Sequence, residues 1–336
     1  MLPRLSVVMP VHNALPHVHA AVESMLAQSF ADFELVVLDD GSTDGSTEAL
    51  RNWAARDRRI RLVESGTRLG PAGSSNRVVG EARAPIIARM DADDVARPDR
   101  LERQLALMEA QADAVLVGSL WDVIDESGQR VREADRWRLL RVSPFAPFSH
   151  PTIMFRRDAF EAIGGYCAEA NRWEDVDLYL RMAAVGRVLV VAEPLVSVRH
   201  SDVSTRLRDG RDGFERAMHL MYCCLGEYVR GRDYTPVLMQ VKGPADDAKL
   251  MPPSFITAGS PIVWAGKRPG ALRRLLKRGL LRPNRSSGIA LTWAAWADLS
   301  PRSLRLFLQA FLKVRNIAAR RSLRGRAWIE WTPPRA

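Results

Sequence analysis

Three cysteines in 336 residues, Cys167, Cys223 and Cys224, make an odd count without paired spacing, which argues against a disulfide framework and for a reducing compartment. No stretch approaches the roughly 18 uninterrupted apolar residues that a bilayer span needs. The opening Met1 to Pro10 holds an apolar run too short, and broken by Pro10, to read as a secretory signal. Internal repeats and long low-complexity tracts are also missing. The expectation is a cytoplasmic protein, or one resting on the inner face of a membrane.

What is present is an α/β pattern with divided charge. The length suffices for a full α/β core and a smaller second unit. Residues 1–200 carry 24 Lys and Arg against 29 Asp and Glu, a net of −5, whereas residues 201–336 carry 25 against 10, a net of +15. Two jobs are expected of such a chain, one chemical and one of contact with an anionic surface. The division is placed at residues 1–205, a catalytic domain, and 206–336, a basic and mainly helical region.

Val- and Ile-rich runs at Leu5 to Met9, Phe33 to Leu38, Ile60 to Val63, Ile86 to Ala88 and Ala114 to Val117 read as strands covered on both faces. Helix formers at helical spacing lie between them, at residues 20–26, 47–55, 74–82 and 101–110. The alternation predicts a mostly parallel central sheet with helices on both faces, and ligands then bind outside the carboxyl ends of the strands. Trp121 to Arg132 reads as a hairpin around Glu126-Ser127-Gly128, a helix opens at Glu174-Asp175, and strands follow at Val188 to Val191 and Leu195 to Val198.

The motifs fall on those carboxyl ends. Asp91-Ala92-Asp93-Asp94 follows the fourth strand, where crowded carboxylates repel one another and lose hydration unless a cation offsets them. A hard divalent ion with oxygen ligands, Mg²⁺ or Mn²⁺, fits this cluster. Capping of the next helix by Asp93 or Asp94 is the plainer use, but it needs one carboxylate where three are supplied. The first turn, Pro10 to Pro16, lacks the Gly-rich loop of a dinucleotide site, so a phosphate bound here would be neutralised by metal.

Pro10-Val11-His12-Asn13, Val37-Leu38-Asp39-Asp40-Gly41-Ser42-Thr43-Asp44, Asp91-Ala92-Asp93-Asp94 and Trp173-Glu174-Asp175, in this order and spacing, resemble the family 2 glycosyltransferases with the GT-A fold. The resemblance spans about residues 4–205. It implies inverting transfer of a sugar from a nucleoside diphosphate donor, usually UDP-linked, to a hydroxyl of a glycan or lipid-linked acceptor. It also implies that Pro10, Val11, His12 and Asn13 wall the nucleoside pocket, with His12 standing where many members have Tyr. By the same resemblance Asp40 receives the base, Asn76 lies near the nucleotide, and His150 and Gly164-Gly165 wall the donor sugar and acceptor. Asp93, with Asp91 direct or through water, would hold the metal beside the diphosphate, and His200 matches a position close to metal or diphosphate.

Chemistry asks for the same groups independently. Charge grows on the departing diphosphate, where a Lewis acid stabilises it, and the acceptor hydroxyl needs a carboxylate base on the opposite side. Asp175 is expected in that role with Glu174 as the alternative, although either could simply complement the helix dipole. A sugar-phosphate nucleotidyltransferase would want a Gly-rich loop with Arg and Lys after the first strand, which Pro10 to Pro16 does not provide. A non-catalytic sugar-nucleotide or membrane-binding module is the remaining alternative.

Residues 303–320 place Leu304, Phe307, Leu308, Phe311 and Leu312 on one helical face and Arg305, Lys313 and Arg320 opposite, with Trp328 and Trp331 following. That pattern suits an anionic membrane interface, and equally a helix packed on protein. Nucleic acid is not expected as a partner, since no recognition fold accompanies the charge.

Overall fold

The computed structural model describes residues 2–133, 148–170, 172–200, 224, 233–240 and 327–331. Contacts divide the chain into two units, Met1–Arg208 with Gly325–Pro333, and Asp209–Arg324 with Pro334–Ala336. Of the second unit, Cys224 is buried and a short helix runs over Thr235–Gln240. The amphipathic segment 303–320 lies outside the described residues.

The first unit is built on the alternation of apolar strands and amphipathic helices. Strands β1 (Leu5–Val11), β2 (Phe33–Asp39), β3 (Ile60–Glu64) and β4 (Ile86–Arg89) are parallel neighbours in the order β3-β2-β1-β4. A short strand β5 (Val95–Ala96) follows, then β6 (Ala114–Ile124), β7 (Arg130–Arg132), β8 (Met154–Arg156), β9 (Arg187–Arg199) and β10 (Trp328–Trp331). The main path runs β10-β9-β6-β8-β4-β1-β2-β3. Along it only β8 and β10 oppose the direction of the rest, so the sheet is mostly parallel as expected.

Residues alternate between two faces, as a period of two requires. On one face Val7, Met9, Leu35 and Val37 pack against Val22 and Met25 of α1 (Val18–Leu26), Leu50 of α2 (Ser46–Arg56) and Leu105 of α4 (Arg100–Ala110). On the other, Val8, Val36 and Leu38 meet Val78 of α3 (Gly70–Glu81), Phe160 of α5 (Arg157–Ala162) and Leu178 of α6 (Glu174–Val185). Each of these side chains is nearly or fully buried, and burial of one of this size stabilises by about 1.5–3 kcal/mol.

Two expectations change. The separate strands at 188–191 and 195–198 are one strand, β9, in which the pairing with β6 jumps from Val191 to Pro194; proline has no N–H to give the ladder. Trp328 and Trp331 are strand residues. They lie in β10, antiparallel to β9, with Trp331 edge-on to Phe148 and Arg187 over Trp328. Residues 325–333 therefore belong to the first unit. Among the described residues no helix is long and apolar enough to cross a membrane.

Candidate active site

Register sets where the chemistry gathers. Val11 of β1 pairs with Asp39 of β2, and Val8 of β1 with Arg89 of β4, so the turns after all three strands emerge along one edge of the sheet. Helix α6 leads through Gly186 into β9, which runs with these strands; a crossover helix runs opposite to the strand it feeds and brings its start to the same edge.

The turns after β1 and β2 are knitted together. Asn13, at φ 52°, accepts the Thr43 N–H on Oδ1 at 2.8 Å and donates its own N–H to Ser42 Oγ at 3.0 Å. The Ala14 N–H donates to Ser46 Oγ and the Leu15 N–H to Asp44 Oδ2, each at 2.9 Å. Asp39 accepts the Ser42 N–H and the Thr47 hydroxyl. Asp40, 4 % exposed, accepts the Leu69 N–H on Oδ1 at 2.5 Å and the Gly70 N–H on Oδ2 at 3.0 Å, and its carbonyl lies 2.9 Å from His12 Nδ1.

This geometry alters several expected roles. Val11 puts its side chain into the core and its carbonyl on the Asp40 N–H, so it shapes the turn from behind, whereas Pro10, His12 and Asn13 stay partly open. Asp40 spends an acceptor site on each oxygen in clamping the entry to α3, leaving one lone pair apiece for a ligand. Asn76 is engaged at both ends of its amide: Nδ2 donates to the Tyr166 carbonyl and Oδ1 accepts the Tyr166 N–H, each at 2.8 Å. It splices α3 to the segment after α5. Gly165 makes that splice possible, since a Cβ there would sit 2.6 Å from Asn76 Oδ1.

The acidic cluster divides into three different carboxylates. Asp94 is buried and accepts the Arg199 N–H at 2.7 Å, so it holds β9 and does not cap α4. Asp91 Oδ1 lies 3.0 Å from both Nε and Nη2 of Arg89. Asp93 is exposed and has no side-chain partner among the described residues. No three His, Cys, Asp or Glu side chains converge as a metal cluster among the described residues; the exposed His200, whose N–H donates to the Ile124 carbonyl, does not close one with Asp91 and Asp93. A pair of crowded carboxylates, one of them unpaired, fits a hard divalent ion that takes its other oxygens from phosphate and water.

Behind Asp91 lies a buried polar pocket. Arg89, 7 % exposed, also donates from Nη1 to Ser75 Oγ at 2.8 Å, and its guanidinium stands 6.0 Å from the Tyr166 ring centre. Burial favours loss of its proton, but Asp91 and the neighbouring Tyr166 and Glu174 hold it charged. His150 Nε2 and Tyr166 Oη form a 2.8 Å hydrogen bond, and burial, then Arg89, keep His150 neutral.

The start of α6 completes the pocket. Glu174 is pushed up to about 7 by burial and then by Asp175, and its Oε2 is buried without a hydrogen-bond partner among the described residues. Asp175 accepts the Val176 N–H at 2.8 Å and is raised by burial, with Arg89 acting in the opposite sense. Both acidic motifs stand at the same edge of the sheet, one after β4 and one at the start of the helix that feeds β9. Arg89, Tyr166 and Tyr179 are the members that sequence reasoning missed. The one available signal was a cation ending the otherwise apolar run Ile86-Ile87-Ala88.

Residues 6–164 match the family model described as "Glycosyl transferase family 2". The chain is 34 % identical over 233 residues to the "Putative glycosyltransferase EpsE" of Bacillus subtilis (strain 168), spanning 66 % of this chain and 82 % of that protein. It is 34 % identical over 188 residues to the "O-antigen biosynthesis glycosyltransferase WbnJ" of Escherichia coli, spanning 54 % and 72 % respectively. Among solved structures, that of S. aureus TarS 1–349 in complex with UDP-GlcNAc aligns with a TM-score of 0.60 and 16 % identity, covering 89 % of this chain and 92 % of that one. At that identity the likeness speaks for the fold.

Proposed function

Because the chain belongs to glycosyl transferase family 2, we propose that it transfers a sugar, with inversion, from a UDP-linked donor to a hydroxyl of a glycan or lipid-linked acceptor in cell-surface polysaccharide assembly. The observation that carries this reading is the meeting at one edge of the sheet of Asp91 and Asp93 after β4 and Glu174 and Asp175 at the start of α6. The relative named for O-antigen biosynthesis supports the pathway class, and the UDP-GlcNAc complex of the structural neighbour supports the donor class.

Asp175 is the proposed base. Burial raises its carboxyl, with Arg89 opposing the rise, which suits a group that must take up a proton. The acceptor hydroxyl gives its proton to Asp175 as its oxygen attacks the anomeric carbon. The bond from that carbon to the diphosphate oxygen breaks, and its electrons leave with the diphosphate. Glu174, about half protonated near pH 7, avoids a second full negative charge beside the base. Pro10, His12 and Asn13 wall the nucleoside, with the free lone pairs of Asp40 open to the base. Asp93 and Asp91 would hold Mg²⁺ or Mn²⁺, which supplies Lewis-acid charge to the leaving diphosphate when bound.

Residues 1–205 would then be the catalytic domain, and the +15 of residues 201–336 suits a peripheral seat on an anionic cytoplasmic membrane face. The free thiol of Cys167 suits the same compartment. A panel of nucleotide sugars assayed for nucleotide release with and without Mn²⁺ tests the reading. UDP release that needs both metal and an acceptor glycan is expected; metal-independent release, or none with any donor, overturns it.

A further inference from the structure

We propose that Arg199, at the end of β9, is a positioning residue for the metal side of the site: it clasps the Asp93–Asp94 peptide and braces it on the β6–β7 turn, leaving the Asp93 carboxylate free for an ion. The inference rests on the proposed reading of Asp91 and Asp93 as metal ligands and adds to it the group that sets Asp93 in place.

Arg199 grips the loop after β4 twice. Its main-chain N–H donates to Asp94 Oδ1 at 2.7 Å, and its Nε donates to the Asp93 carbonyl at 2.9 Å. Its Nη1 reaches the other way, to the carbonyls of Asp125 at 2.6 Å and Glu126 at 2.9 Å. A guanidinium presents its donors in a rigid fork, so the loop and the turn are held at a fixed separation. The turn is itself stiff: Asp125 Oδ1 accepts the Ser127 N–H at 3.0 Å, the Ser127 hydroxyl at 2.7 Å and the Gln129 N–H at 2.9 Å. Glu126 Oε2 lies 2.8 Å from Nε2 of His17, just before α1, which ties the turn to the segment after β1.

The guanidinium grips three acidic residues, yet each bond goes to a main-chain carbonyl. An arginine among acids ordinarily takes a carboxylate, as Arg89 does with Asp91. Here the Asp125 carboxylate folds its own turn, that of Glu126 meets His17, and that of Asp93 has no side-chain partner among the described residues. Other ties of this segment lie to either side of Asp93. Arg89 holds Asp91, the Ala96 N–H donates to Ser24 Oγ at 3.1 Å, and β5 pairs with β9 from Val95 onward. Without Arg199 the exposed Asp93 would have to be ordered as the ion binds, at a cost in affinity.

The experiment uses the full chain with Mn²⁺ as the probe. Electron paramagnetic resonance of free Mn²⁺ at saturating UDP gives the Kd, and amide hydrogen exchange without metal or UDP reads residues 91–96. Charge and placement predict opposite signs for Arg199→Gln: removing a nearby cation alone would tighten Mn²⁺ binding, whereas losing the clasp loosens it. The Kd should rise roughly 10-fold, as for other outer contacts to a metal site, with faster exchange over residues 91–96. Asp125→Ala, which keeps Arg199 but slackens the turn it grips, should raise the Kd by a smaller factor. Arg187→Gln, which strips the far end of β9 of its ion pairs with Asp113 and Glu330, should leave both readouts unchanged. A Kd that holds or falls in Arg199→Gln, exchange as slow as in wild type, or an equal rise of Kd in Arg187→Gln overturns the assignment. If Arg199→Gln does not fold, Asp125→Ala decides, and an unchanged Kd there overturns it. A wild-type chain that binds no Mn²⁺ would sink the proposed metal reading, while the metal-free exchange still decides whether Arg199 sets the loop.

Discussion

The turns after β1 and β2 and the start of α6 are both acidic, yet they treat their carboxylates in opposite ways. Every oxygen of Asp39, Asp40 and Asp44 accepts a hydrogen bond from the protein. Glu174 Oε2 is buried with no partner among the described residues, and Asp93 has no side-chain partner there. A satisfied carboxylate is a strut, whose value is the backbone it fixes. An unsatisfied one costs stability and is retained where charge is needed during a reaction. The two regions thus divide the labour: the first gives the turns after β1 and β2 their shape and the second keeps its acids available.

Substitutions that remove only charge break or sharpen this comparison. The largest effect belongs to Asp175→Asn, which should lower kcat by roughly 10²–10⁴-fold while UDP affinity in a calorimetric titration stays within threefold of wild type, about 0.65 kcal/mol. Transfer at the wild-type rate would move the base to Glu174. Next comes the stability cost of Glu174 itself. Its folded-state value of about 7 lies above the ordinary 4.5 of a glutamate carboxyl, so the folded chain binds the proton more tightly between those limits. Stability is therefore full below about pH 4.5 and falls as pH rises through 7, by about 3 kcal/mol at most. Urea melts at pH 5 and pH 8 should show that loss in the wild type and its disappearance in Glu174→Gln; parallel losses in both would assign the slope to another group.

The contrast also explains what could be read in the sequence. Parallel strands buried on both faces announce themselves as apolar runs, and β1 to β4 begin where the pattern placed them. Helix α3 starts at Gly70, four residues before its apolar pattern, because Pro71 favours the first turn while Gly70 and Gly73 disguise it. The strand β10 was hidden by its two tryptophans, whose partners in β9 and Phe148 lie far away in sequence. In the candidate site, Asp91, Asp93, Glu174 and Asp175 stood out because these acids lie side by side in sequence. The work of Asp40 and Asn76 did not, since their partners stand 29 and 90 residues away or nearly so. Local chemistry shows what a side chain can do, and tertiary contact decides what it is spent on.

Asp40→Asn sharpens the comparison from the strut side and carries the smallest of these effects. The carboxylate accepts N–H groups from two successive residues, Leu69 and Gly70. An asparagine offers one oxygen and turns an NH₂ toward the other donor, leaving one N–H of that pair without an acceptor. The expected loss is about 1–3 kcal/mol of unfolding free energy, read as a lower urea midpoint at unchanged slope. Because Asp40 also keeps a lone pair on each oxygen, UDP affinity tests whether it serves the ligand in addition. If the loop clamp is its whole role, crystals of the variant with UDP bound should show the 67–70 turn displaced and the base seated as before. A stability equal to wild type would mean that the two amide hydrogen bonds contribute nothing to the fold, and the division between struts and reactive acids would lose its clearest member.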